Sequence, residues 1–157
     1  MSDDKPVTSF GGMPVAPYQA WSRATLGYEY DNVGYLITAL THRSYVNEHK
    51  KSTTEHNERL EFLGDAVLEL IVTDYLYRNY NEPEGVLTSW RAALVRTESI
   101  AEAGEKLGYE GLIRMSKGEK AGSERARQQI RANAFEAVLG SIYLEKGYEQ
   151  CRVYVEK

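Results

Sequence analysis

The stretch Glu58-Arg59-Leu60-Glu61-Phe62-Leu63-Gly64-Asp65-Ala66-Val67-Leu68-Glu69 decides how this chain is read. Wound as an α-helix, it sets Glu58, Glu61, Asp65 and Glu69 three and four residues apart, along one face. Leu60, Leu63, Val67, Leu68 and Ile71 fall on the neighbouring face and form a core stripe. Like charges at these spacings weaken a helix by roughly a few tenths of a kcal/mol per pair. Four acids beside a buried face are therefore either a solvated surface or one wall of a divalent-cation site. Spacing alone leaves both open.

The apolar stripe runs on through Tyr75 and Leu76, so the helix is predicted from about Asn57 to Tyr80. Asn81-Glu82-Pro83-Glu84-Gly85 breaks it. Upstream, the polar run Tyr45 to Glu55 reads as a loop. Val33, Leu36, Ile37 and Leu40 fit a helix capped by Asp31 or Asn32. Trp21, Leu26 and Tyr28 fit a shorter one closing near Gly27. Residues 1–20, with Gly11-Gly12 and Pro6, Pro14 and Pro17, read as a flexible tail. Downstream, helices are predicted over Leu87–Val95 and Glu98–Leu107, the second stopped by Gly108. The basic run Ile113–Gln128 holds Arg114, Lys117, Lys120, Arg125 and Arg127, and reads as a loop entering a long helix. That helix begins at Ser123 or Arg125 and ends at Lys146, with Ile130, Phe135, Val138, Leu139, Ile142 and Tyr143 on its apolar face. After Gly147 another helix begins. There is no strand-like alternation and no internal repeat. The fold class is all-α, with a single domain over residues 21–157.

Composition narrows the function. At 157 residues, 42% hydrophobic and 27% charged, the chain suits one globular domain. No apolar run approaches the roughly 20 residues of a membrane span. The sole cysteine, Cys151, provides no internal disulfide and no thiolate zinc site, and a reducing, cytoplasmic setting is expected. The net charge of −4 argues against nucleic-acid binding unless acids and bases are segregated.

Asn133 and Glu136 lie three apart on the last long helix, among Ala132, Ala134, Ala137 and Gly140. Such small residues permit close packing against the acidic helix, bringing Asn133 and Glu136 toward Glu61 and Asp65. An all-oxygen set suits Mg²⁺ or Mn²⁺ rather than zinc or copper. Paired hard cations serve phosphodiester hydrolysis. Glu-x-x-His pairs, which a carboxylate-bridged redox bundle requires, are absent.

Segment His56 to Leu68 resembles the signature motif of the ribonuclease III family. Ala39-Leu40-Thr41-His42-Arg43-Ser44, Arg91-Ala92-Ala93-Leu94-Val95 and the run Ala134 to Leu144 match further family segments in order. The resemblance spans roughly Trp21 to Lys157 and implies a helical, dimer-forming endonuclease domain. The implied reaction is cleavage of double-stranded RNA, leaving 5′-phosphate and 3′-hydroxyl ends, with Mg²⁺ as cofactor and Mn²⁺ able to substitute. Glu61, Asp65 and Glu136 match family metal ligands. Glu58 matches a supporting acid of the catalytic set. Phe62 matches a dimer-contact position, the alternative being intrachain core.

Asn133 departs from the family pattern, which has an aspartate there. An amide keeps an oxygen and loses the charge, so impaired cleavage is expected, with RNA binding and dimerisation retained. Asn133 is either an introduced inactivating change or native to a non-cleaving, RNA-binding or ribosome-associated dimer on the same fold. Bacterial members of the family usually continue into a C-terminal double-stranded-RNA-binding domain, absent from this chain; a truncated chain is expected, the alternative being a single-domain member. Lys117, Lys120, Arg125 and Arg127, with Arg114 and Arg131, are candidate phosphate contacts, the alternative being a solvated loop. His42, His49 and His56 are assigned to packing and capping rather than to a general base. Tyr75, Tyr77 and Tyr143 are assigned to core or interface.

Overall fold

A computed structural model describes residues 9–10, 13–49 and 55–156. Helices α1 (Ala16–Leu26), α2 (Val33–Ala39), α3 (Arg43–Glu48), α4 (Glu58–Asn79), α5 (Glu84–Leu94), α6 (Thr97–Leu107), α7 (Lys117–Lys120), α8 (Glu124–Lys146) and α9 (Tyr148–Val155) follow in order. A 3-10 turn at Glu110–Leu112 precedes α7, and Ser9–Phe10 pairs antiparallel with Met13–Pro14. Among the described residues this pair is the one sheet, so the all-α reading holds.

α8 is the axis of the molecule. It starts at Ser123, whose hydroxyl accepts from the Ala126 amide at 3.2 Å, and Glu124 complements the dipole of the first turn. It stops at Gly147, whose φ of 88° suits a residue without a Cβ. Between these ends it buries Ile130, Ala134, Phe135, Ala137, Val138, Leu139 and Ile142, among others. α4 packs along it with Leu60, Val67, Leu68, Ile71, Val72 and Leu76 buried, while α2, α6 and α9 close the remaining sides. The apolar periods of the two long helices are thus satisfied largely against each other.

Two expectations need correction. α1 starts at Ala16, five residues before Trp21, and takes in part of the stretch read as tail. Pro17 does not prevent this, because the first turn of a helix has no intrahelical partner for its N–H groups. Tyr18 is buried and donates to the Leu112 carbonyl at 2.9 Å, and Trp21 Nε1 donates to the Leu107 carbonyl at 2.8 Å. The tail expectation otherwise falls mostly on residues outside the described set. The loop expected over residues 45–55 is helical as far as Glu48; residues 50–54 lie outside the described set. α3 has no buried residue, so it leaves no apolar period to read.

A short backbone junction sets the start of the acidic helix. Arg114 N donates to the Leu40 carbonyl at 2.7 Å, and His42 N to the Arg114 carbonyl at 2.8 Å. Asn57 N then donates to the Thr41 carbonyl at 2.9 Å, and its side-chain amide to the Ala39 carbonyl at 3.0 Å. Asn57 is therefore spent on holding α4 to the turn after α2.

Candidate metal centre and its basic flank

The acids of α4 meet α8 where both helices carry glycine. A Cβ at Gly64 would overlap the carbonyl oxygen of Glu136, and one at Gly140 would overlap that of Leu60. The two backbones are in direct contact, closer than ridge-in-groove packing of larger side chains permits. Ala132, Ala134 and Ala137 are buried along the same helix. This contact brings Asp65, one residue past Gly64, beside Glu136.

The electrostatics record that proximity. Glu136 is pushed up to about 8 by burial, by a hydrogen bond with Asp65, and by the charges of Asp65 and Glu61. Glu61 is also raised, by burial and then by the Glu58 and Asp65 charges. The hydrogen bond between Glu136 and Asp65, the Glu61 charge felt by Glu136 and the Asp65 charge felt by Glu61 place the three carboxyl groups near one another. Among the described residues, however, no group of three or more His, Cys, Asp and Glu side chains is arranged to hold a metal ion. The donor set, three carboxylates and an amide oxygen, fits a hard cation by its chemistry. Enclosing one requires these side chains to turn.

The remaining candidates are dispersed. Glu58 is exposed and pairs with Arg43 at 3.2 Å, so it flanks the centre. Glu69 lies two turns along and pairs with Arg91 at 3.7 Å. Asn133 precedes Glu136 by three residues on α8, and its Oδ1 accepts from Gln129 Nε2 at 2.9 Å. Gln129 escaped the sequence reading, although its place four residues before Asn133 on one helix was a usable signal. Phe62 is 82% exposed, which rules out intrachain core. It borders a groove of about 810 Å³ with Tyr35, Arg59, Leu63 and Leu144. Tyr75, Tyr77 and Tyr143 are exposed as well, so none is a core residue.

The basic run divides into three. Lys117, Lys120 and Arg125 are exposed. Arg127 pairs with Glu110 at 3.4 Å, and Arg131, nearly buried, with Glu110 at 3.1 Å and Glu124 at 2.7 Å; these two brace the entry to α8. Arg114 is buried. The histidines do local work: His42 Nδ1 caps α3 by accepting from Ser44 N at 3.1 Å, and His49 stacks on Tyr45. Arg43 and Arg59, both exposed, add cations beside the acidic face that charge counting in the 113–131 run overlooked.

The domain is built on two glycine-apposed helices, with carboxylates at their contact and exposed arginines alongside. The profile of ribonuclease-III-like proteins matches residues 33–157, and the chain belongs to the ribonuclease III family. Ribonuclease 3 of Listeria monocytogenes is 42% identical over 134 residues, 85% of this chain and 58% of that protein. Ribonuclease 3 of Oceanobacillus iheyensis is 49% identical over 125 residues, 79% of this chain and 55% of that protein. The chain thus spans a little over half the length of these curated relatives. The nuclease domain of ribonuclease III from Campylobacter jejuni superposes with a TM-score of 0.76 at 38% identity, covering 85% of this chain and 90% of that one. Dicer from Pichia stipitis superposes at 0.57 with 27% identity, covering 77% and 51%. No helix among the described residues is long and apolar enough to cross a membrane.

Proposed function

We propose that this chain is a nuclease domain that hydrolyses double-stranded RNA as a homodimer, leaving 5′-phosphate and 3′-hydroxyl ends. The observation carrying the reading is the coupling of Glu61, Asp65 and Glu136 across the α4–α8 contact, with Glu136 raised to about 8. Glu61, Asp65 and Glu136 are the residues that would hold Mg²⁺, with Asn133 offering only an amide oxygen. Mg²⁺, or Mn²⁺ in its place, supplies Lewis-acid polarisation of the scissile phosphate and an activated water. Glu58 supports the centre from its edge. Lys117, Lys120 and Arg125 suit the phosphate rails of an A-form duplex, which proteins read by shape and backbone; Arg127 reaches phosphate only by leaving Glu110. A structure of the Campylobacter jejuni nuclease domain is described by flexibility in a region involved in dimer formation. On this chain, the exposed Phe62 and the groove it borders are assigned to contact with a second copy, because a large apolar side chain stands in water there.

Asn133 favours a second reading, a non-cleaving RNA-binding or ribosome-associated dimer. A fourth carboxylate at position 133 would add negative charge for cations; the amide adds none. The test is cleavage of a labelled RNA duplex by this chain and by Asn133→Asp, with Mg²⁺ and with EDTA. Mg²⁺-dependent cutting by the Asp variant supports the nuclease reading with Asn133 as the impairing residue. Duplex binding without cutting by either favours the second reading.

A further inference from the structure

Arg114 is 4% exposed, yet its Nε, Nη1 and Nη2 are all buried with no hydrogen-bond partner among the described residues. Buried guanidinium groups are almost always paired, because removing the charge from water is costly. The polar groups nearby are turned elsewhere. Tyr18, close enough to feel the Arg114 charge, donates its hydroxyl to the Leu112 carbonyl. Ser44 Oγ accepts from Ser116 N at 2.9 Å. The backbone of Arg114 is fully engaged with Leu40 and His42. An aromatic ring lies over the guanidinium: its Cζ is 4.1 Å from the centroid of Tyr45. Tyr45 in turn stacks on His49, with centroids 4.1 Å apart and planes at 21°.

A cation–π contact returns only a fraction of the hydration a buried guanidinium gives up. The covered state therefore holds an uncompensated charge, and any arrangement that supplies an oxyanion lowers its energy. The cover is also lightly anchored. α3 is six residues long and buries none of them. Besides the ring contact it is tied by the His42 cap, by Ser44 to Ser116, by the Glu48 carboxylate accepting from Lys117 N at 3.2 Å, and by the exposed Arg43–Glu58 pair at 3.2 Å. Lys117, whose amide meets α3 through Glu48, and Lys120, three residues on, are exposed cations in the segment that follows Arg114. A planar guanidinium pairs two oxygens at once, the geometry of a phosphate.

We propose that Arg114 is a latent phosphate-binding residue, latched beneath α3 by Tyr45 and presented to a backbone phosphate of duplex RNA when α3 lifts. Duplex RNA as the source of the phosphate rests on the function proposed above; the unmet need of the guanidinium does not. The test uses this chain, Tyr45→Ala, Arg114→Met and the double variant. Affinity for a fluorescent RNA duplex is measured in EDTA, and thermal unfolding is followed with and without inorganic phosphate. With the latch removed, Tyr45→Ala binds duplex about tenfold more tightly, the scale of one charge-assisted contact, and gains phosphate-dependent stability. The double variant loses both gains. Absence of the phosphate gain overturns the proposal, as does a gain that survives the loss of Arg114. A phosphate gain through Arg114 without a gain on duplex overturns the assignment to RNA. If no form binds duplex while the phosphate gain appears, the function proposed above fails and the Arg114 site stands. Arg114→Gln, which keeps the stem and one amide, replaces Arg114→Met if circular dichroism shows the latter unfolded.

Discussion

α8 and α5 put an amphipathic helix to opposite uses. α8 buries side chains from Ile130 to Ile142 and is touched by α2, α4, α6 and α9. α5 buries none of its residues, although Val86, Leu87, Trp90 and Leu94 run along it and Trp90 meets Tyr80 edge-on at 5.2 Å. The folding energy of the subunit therefore sits in the α4–α8 contact, which also holds the carboxylates. Exposed apolar residues such as Phe62, Trp90 and Leu94 contribute little to the isolated subunit. Fold and chemistry share one contact, and surface apolarity is kept separate from it.

The hardest test of that division is Gly64→Ala. Its methyl group has no room against the Glu136 carbonyl, and backbone cannot yield as a side-chain tip can. A loss of about 3 kcal/mol or more is expected, at the upper end of overpacking costs, together with weaker Mg²⁺ binding; urea unfolding and metal titration measure both. A near-neutral result would show that α4 and α8 tolerate separation. Next is Asn133→Asp. A fourth carboxylate raises Mg²⁺ affinity by about tenfold, one charge at short range in a partly screened site, and isothermal titration reads it without reference to cleavage. Metal-free stability should also fall, since the new charge adds to those of Glu61 and Asp65 and must be half-buried beside a largely protonated Glu136.

A smaller effect is the pH dependence of the metal-free chain. Glu136 binds its proton more tightly folded than unfolded, with a folded value of about 8 against a usual 4.5. Between those limits the folded state holds more protons. Its contribution is therefore complete below about 4.5 and is lost as pH rises through about 8. Glu136→Gln should remove this slope, and a slope that persists in that variant would place its origin elsewhere. The smallest effects belong to the exposed set. Phe62→Ala and Leu94→Ala should change subunit stability by less than about 0.5 kcal/mol. Phe62→Ala should nevertheless dissociate the proposed homodimer on sizing, while a large loss of subunit stability would refute the contrast with α8.

Much of this was legible in sequence where a period existed. α4 and α8 repeat their apolar residues every three or four positions for five turns and more, and their boundaries follow from Asn57, Pro83, Ser123 and Gly147. The carboxylates were legible for the same reason, because Glu61, Asp65 and Glu136 sit at fixed angles to those stripes. What escaped had no period. α3 buries nothing, so its helix leaves no apolar mark, and α1 begins amid a proline that suits a first turn but reads as a breaker. Burial of an individual polar group is also invisible to periodicity: Arg114 and Arg131 look in sequence like Lys117 and Lys120, yet the structure covers the first two and leaves the second two in water. Tyr77 illustrates the reverse, a helical-spaced aromatic on the outside.

The glycine pair has one more consequence. Because Gly64 meets the Glu136 carbonyl and Gly140 meets that of Leu60, the gap between the two acid-bearing helices is set by main chain resting on main chain. The spacing of the carboxylates is thus fixed by van der Waals contact of backbone with backbone rather than by which aliphatic residues fill the interior beyond it. Substitutions such as Ile142→Val or Leu68→Met can drift through this interior and change its melting point while the carboxylates keep their spacing. Thermal stability and the spacing of these carboxylates are, in this chain, separately adjustable.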